Sequence, residues 1–129
     1  MKIEHVAYWV QDLEMMRDFY QKYFGGSSGE IYHNPEKEFR SCFITFSTGC
    51  RLELMHSPRV TSSLIGSYTE VTGITHLAFS VSSKEEVDEL TRRLEQDDFQ
   101  VIGKPRTTGD GYYESVVLDP ELNRIEITV

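Results

Sequence analysis

The sequence predicts an α+β fold of two tandem βαβββ modules forming a curved mixed sheet. One module spans about residues 1–57, the other about 74–129, with a linker at about 58–73. Two matched segments and the order of elements between them carry this expectation. His5-Val6-Ala7-Tyr8-Trp9-Val10 returns as His76-Leu77-Ala78-Phe79-Ser80-Val81, identical at His, Ala and Val. Arg51-Leu52-Glu53-Leu54 then returns, in the same order along the chain, as Arg124-Ile125-Glu126-Ile127. Between the matched segments each half holds one stretch of helical periodicity followed by strand-like runs.

The elements follow from the chain in order. The first strand covers the His5 segment. Asp12 then suits an N-cap for a helix over Leu13 to Phe24, in which Leu13, Met16, Phe19, Tyr20, Tyr23 and Phe24 recur at helical spacing and Gly25-Gly26 supplies the stop. Strands are expected over Ser28 to His33, Phe39 to Ser47 and Arg51 to His56, the last two joined by a tight Thr48-Gly49-Cys50 turn. In the second half, Ser83 with Glu86 forms a capping-box pattern ahead of Val87, Leu90 and Leu94, and this helix should end near Asp97-Asp98. Strands over Gln100 to Lys104, Tyr113 to Leu118 and Arg124 to Val129 complete the copy. The turn Asp119-Pro120-Glu121-Leu122-Asn123 suits a left-handed residue at Asn123.

Bulk properties limit the function. A chain of 129 residues suits one domain, burying roughly two-thirds of its unfolded surface. Hydrophobic residues make up 39% and charged residues 26%, the balance of a globular protein that needs no disulfides. Cys42 and Cys50 form no metal-binding spacing and read as buried or half-buried thiols in a reducing cytoplasm. A net charge of −8 disfavours nucleic acid and anionic membrane surfaces, and no apolar run reaches the length of a membrane span, so a small-molecule ligand is expected.

Strand alternation sorts the faces. Val6, Tyr8 and Val10 point one way and His5, Ala7 and Trp9 the other; Leu52 and Leu54 oppose Arg51, Glu53 and Met55. The second copy sorts identically, so His5, Glu53, His76 and Glu126 all lie on the side away from the helices. A lone strand His is ordinarily a hydrogen-bonded core residue and a lone Glu is ordinarily solvated. Two of each at equivalent positions of a repeat instead suggest one divalent metal ion, because unpaired carboxylates brought together would repel. A structural His–Glu hydrogen bond in each copy is the plainer reading. The mixed nitrogen and oxygen donor set suits Ni²⁺ or Zn²⁺ first and also Co²⁺, Fe²⁺ or Mn²⁺, with positions open for substrate.

These residues resemble the vicinal-oxygen-chelate superfamily (glyoxalase, bleomycin resistance and dioxygenase proteins), and within it the glyoxalase I, or lactoylglutathione lyase-like, branch. The resemblance covers the whole chain through the His-x-Ala openings, the helix after each, the Arg-Leu-Glu-Leu segment and the Asp-Pro turn before Asn123-Arg124-Ile125-Glu126-Ile127. It implies the glyoxalase/bleomycin resistance fold, a homodimer, metal ligands at His5, Glu53, His76 and Glu126, and Glu126 as catalytic base with Glu53 as alternative. It also implies a metal-dependent lyase or isomerase that moves a proton on an α-hydroxy-carbonyl or hemithioacetal. Glutathione-using members commonly carry an Arg and an Asn where this chain has Trp9 and Ser57, which leaves the thiol cosubstrate unassigned. Other superfamily activities, an epimerase or dioxygenase, are alternatives. So is a non-catalytic drug-binding protein with a cleft of Trp9, Phe43 and Tyr113.

Three further features carry less weight. The segment Thr107 to Glu114 reads equally as a mobile flap over the site or as a plain loop. Arg51 and Arg124 share the metal face, where they would form salt bridges or hold an anionic group. His33 and His56 have no counterpart in the repeat and read as surface residues.

Overall fold

The computed structural model describes residues 1–61 and 72–129. The chain divides into an N-terminal unit, Met1–Leu64, and a C-terminal unit, Ile65–Val129. The expected linker falls largely on 62–71, outside the described residues.

The N-terminal unit runs β1 (His5–Trp9), α1 (Leu13–Phe24), β2 (Ser27–Ser28), β3 (Tyr32–Asn34), β4 (Phe39–Thr45) and β5 (Arg51–His56). Asp12 caps α1 as expected, its carboxylate accepting from the Met15 N–H at 2.9 Å, and Gly25 closes the helix at φ 64°, where a side chain would be strained. The sheet order is β1-β5-β4-β2, with β3 also on β4; β1 and β5 are parallel and the other pairs antiparallel. Leu13, Met16, Phe19, Tyr20 and Tyr23 of α1 are buried with Val10, Cys42, Ile44, Leu52 and Leu54 of the strand side. Leu52 and Leu54 are thus core, and the alternation predicted from sequence holds.

The C-terminal unit runs β6 (Leu77–Ser80), α2 (Lys84–Gln96), β7 (Val101–Thr107), β8 (Tyr113–Leu118) and β9 (Arg124–Thr128). The first half of the capping box forms, Ser83 Oγ accepting from the Glu86 N–H, while the Glu86 carboxylate accepts instead from the N–H of Ser82, one residue before the cap, at 2.7 Å. The order β6-β9-β8-β7 repeats the first sheet, with β6 and β9 parallel and the rest antiparallel. Val87, Leu94, Val117, Leu118, Ile125 and Ile127 form its core.

Some boundaries differ from expectation. The single strand over Ser28 to His33 is two short strands, because β2 pairs Thr45 and Ile44 while β3 pairs Ser41, Arg40 and Phe39, leaving Gly29-Glu30-Ile31 as an unpaired bend. β7 extends to Thr107, since Arg106 and Thr107 still pair Glu114 and Tyr113. The left-handed residue of the last turn is Leu122 at φ 68°, not Asn123. Buried Asp119 organises that turn, its carboxylate accepting from the Glu121 and Asn123 N–H groups and from the Asn123 side-chain amide at 2.8 Å. No helix among the described residues is long and apolar enough to cross a membrane.

Candidate metal centre

The same register places a His beside a Glu in each unit. In the parallel pairing of β1 with β5, Glu53 lies opposite Ala7; in that of β6 with β9, Glu126 lies opposite Ala78. Each of these Ala residues belongs to a His-x-Ala opening, so the His sits on the same face one step back along the strand. The small Ala leaves room for the carboxylate to lean toward the ring. His5 Nε2 lies 3.7 Å from Glu53 Oε2, and His76 Nε2 lies 3.6 Å from Glu126 Oε2. Both separations exceed a hydrogen bond.

The other ring nitrogen is engaged in both cases. His5 Nδ1 lies 2.5 Å from Glu4 Oε2, and His76 Nδ1 lies 3.0 Å from Thr75 Oγ1. A carboxylate only accepts, so His5 donates through Nδ1, and in the neutral ring Nε2 is left as a lone pair facing Glu53. Arg51 in turn donates to Glu4, through Nε at 2.8 Å and through Nη2, and its guanidinium lies 4.0 Å over the Phe43 ring. The hydrogen bonds from His5 and then Arg51 hold the Glu4 carboxyl below its ordinary range. Neither Glu4 nor Thr75 is marked by the repeat, because the residue types differ between the copies; only their place directly before each His is shared.

The two carboxylates have different neighbours. Glu126 is held above its ordinary pKa, first by burial and then by the charge of Glu114 on β8. Glu114 itself accepts from Arg106 Nη2 at 3.1 Å. Beside Glu53, by contrast, stand aromatic rings: Phe43 is its antiparallel partner, and the His5 ring meets Phe43 edge-on at 5.5 Å. In each pair a ring nitrogen and a carboxylate face each other on a half-exposed surface with no closer contact between them, a donor chemistry that a divalent cation suits. Each unit contributes one such pair. Among the described residues, no group of three or more His, Cys, Asp or Glu is gathered to hold an ion.

Several expected residues lie elsewhere. Tyr113 is engaged within its own unit: its hydroxyl donates to Asp88 of α2 at 2.8 Å and its ring lies under the Lys84 ammonium, so it faces the helix. Trp9 is 49% exposed and meets Phe39 edge-on at 6.0 Å. His56 is half-buried rather than a free surface residue, its Nδ1 3.0 Å from the Val10 carbonyl, whereas His33 is exposed. The segment after Thr107 is a hairpin turn, closed by the Thr108 N–H to the Tyr112 carbonyl at 2.8 Å. Cys42 and Cys50 are free thiols, and burial raises the pKa of Cys42.

Comparison with known proteins agrees with this architecture. The model of the Glyoxalase/Bleomycin resistance protein/Dioxygenase superfamily matches residues 2–127. An uncharacterized protein of Bacillus subtilis (strain 168), YqjT, is 34% identical over 137 aligned positions, covering 97% of this chain and 96% of that one. A possible glyoxalase from Bacillus cereus is 28% identical with a TM-score of 0.74, over 100% of this chain and 99% of that one. Glyoxalase I of Zea mays, at 21% identity and a TM-score of 0.80, shares the fold over 98% of this chain, which spans only 44% of the maize chain. The chain therefore belongs to the Glyoxalase/Bleomycin resistance protein/Dioxygenase superfamily.

Proposed function

We propose that the chain is a cytoplasmic, metal-dependent lyase or isomerase of glyoxalase I type, acting as one domain of two modules, 1–129, on a small α-hydroxy-carbonyl or hemithioacetal. The observation that supports this reading most is the twofold recurrence of a His Nε2 facing a Glu carboxylate at 3.7 and 3.6 Å. A structural hydrogen bond would close those gaps; a cation would use them.

His5, Glu53, His76 and Glu126 would form one ligand set, with the modules pairing within one chain or across a homodimer. Ni²⁺ or Zn²⁺ suits these donors, and Co²⁺, Fe²⁺ or Mn²⁺ is compatible. When bound, the ion supplies Lewis-acid polarisation of a substrate carbonyl. The chain's own groups do the rest. Glu126 takes the proton from the carbon beside that carbonyl and returns it one carbon away, with Glu53 as the alternative base. Glu4 and Thr75 hold His5 and His76 through Nδ1, which keeps Nε2 oriented toward the carboxylates.

The test is metal uptake. The purified protein should bind about one equivalent of Ni²⁺ or Zn²⁺ per chain, and His5→Ala and His76→Ala should each weaken binding about a hundredfold with the melting temperature unchanged. Full affinity in both variants, or no uptake by the unsubstituted chain, overturns the reading. A second reading, a drug-binding protein, draws on the aromatic cleft of Tyr32, Phe39 and Phe43 beside Trp9. Quenching of Trp9 fluorescence by aromatic drugs, unaffected by metal or chelator, would favour it.

A further inference from the structure

Each unit has a cleft that reaches its His–Glu pair, at Glu53 in the first unit and at His76 and Glu126 in the second, and the two clefts differ in charge. The N-terminal cleft, about 440 Å³, is lined by Glu53 and Glu30 with Tyr32, Phe39 and Phe43. The C-terminal cleft, about 700 Å³, sets His76 and Glu126 among Lys104, Arg106 and Arg124. Three cations on one cleft run against the balance of the chain, which has 13 Lys and Arg to 21 Asp and Glu.

The backbone is shaped to place them. All residues from Ile102 to Arg106 line this cleft, although a regular strand offers one face only every second side chain. β7 is not regular: its register against β8 shifts between Val101 and Gly103 and again between Gly103 and Arg106. Such irregularities re-aim side chains: Gly103 and Arg106, three residues apart, pair with Val116 and Glu114, which share one face of β8, while Lys104 also borders the cleft. Pro105 lies on this edge strand, where a missing N–H costs little. At Gly103 a Cβ would stand 3.2 Å from Arg106 Nη1 and 3.2 Å from Val116 Cβ, so a side chain there would crowd both. The bond from Arg106 to Glu114 uses one of five N–H groups and fixes the guanidinium, leaving others for a ligand.

We infer that the C-terminal cleft binds an anionic group of the substrate, a carboxylate or a phosphate, through Lys104, Arg106 and Arg124. The proposal rests on the reading of His76 and Glu126 as part of the reaction site, and it narrows the substrate class to small anionic α-hydroxy-carbonyls or their thiol adducts. Charge-assisted bonds to such a group would orient the reacting carbons against Glu126.

The experiment titrates inorganic phosphate, and separately acetate, into chelator-treated protein at low salt, following backbone ¹H–¹⁵N shifts. Saturable shifts are expected at Gly103, Lys104 and Arg106, and Lys104→Gln and Arg106→Gln should each weaken binding about three- to tenfold. Tighter binding of phosphate would assign a phosphorylated substrate, and tighter binding of acetate a carboxylate. Unsaturable shifts, equal affinity in both variants, or binding only to metal-loaded protein overturns the inference. Because the metal is absent from this titration, anion binding without metal uptake would defeat the catalytic reading and leave the anion site standing. Metal uptake without anion binding would do the reverse.

Discussion

The N-terminal and C-terminal units place their His–Glu pairs in the same register yet fill the space beneath the sheet with different chemistry. Tyr20 of α1 and Thr91 of α2 each lie 15 residues along the sequence from the His of their copy, and both are buried. In the sheet, Cys42 and Ser115 are equivalent by the pairings of Phe43 with Glu53 and Val116 with Glu126, and both are buried. In the first unit the ring of Tyr20 supplies volume. In the second, the Thr91 hydroxyl donates to the Val87 carbonyl at 2.6 Å and so accepts from Ser115 Oγ at 2.6 Å. The edge strands diverge too, one broken into β2 and β3, the other bulged into a cationic wall. A core accepts any filling that restores volume and satisfies its polar groups, whereas a ligand pair admits few residue types. The differences between the units therefore mark where they could specialise.

The comparison is open to test, beginning with the largest effect. Glu126→Gln should reduce turnover of methylglyoxal–thiol adducts about 10²- to 10⁴-fold with the fold retained, and Glu53→Gln should lose less. A greater loss at Glu53 would move the base to the N-terminal unit. Tyr20→Ala should cost about 3–5 kcal/mol in urea unfolding, the loss of a large buried ring. At the equivalent position Thr91→Val should cost about 1–3 kcal/mol, because it strands the buried Ser115 hydroxyl; adding Ser115→Ala should recover most of this. Failure of the double variant to recover would show that packing, not the hydrogen bond, sets the value.

The smallest effect concerns how each sheet is tied to its helix. Arg40 of β4 pairs with Glu14 in the first turn of α1, while Tyr113, at the equivalent position of β8, bonds Asp88 about one turn further along α2. The hydrogen bond from Arg40 holds the Glu14 carboxyl below its ordinary value of 4.5. Its contribution, under about 1 kcal/mol for so exposed a pair, is present above pH 4.5 and lost as pH falls through the lowered folded value. Glu14→Gln should flatten that acid-side slope in thermal melts, and an unchanged slope would assign it to other carboxylates.

Much of this architecture is legible in one dimension. The bounds of α1, the cap and stop residues Asp12 and Gly25, the Ser83 cap of α2 and the burial of Leu52, Leu54, Ile125 and Ile127 follow from local spacing, because helix and strand periodicity is a local property of the chain. So does the presence of one His and one Glu of each copy on the exposed face. Other features depend on partners distant in sequence. Whether the segment from Ser28 to His33 forms one strand or two depends on where β4 offers it hydrogen bonds. The turn of Tyr113 toward α2 depends on Asp88, and the tie of His56 depends on the Val10 carbonyl. Glu4, Thr75, Glu114 and Arg106 have no signature of their own, since each acquires its role only from the ring or carboxylate that folding sets beside it. Sequence alone determined the repeated βαβββ plan and the residue types of the His–Glu pairs, because duplication and alternation are written along the chain. Only tertiary structure decided the neighbours of each Glu, an aromatic ring beside Glu53 and a second carboxylate beside Glu126, because those contacts cross strands that local spacing does not encode.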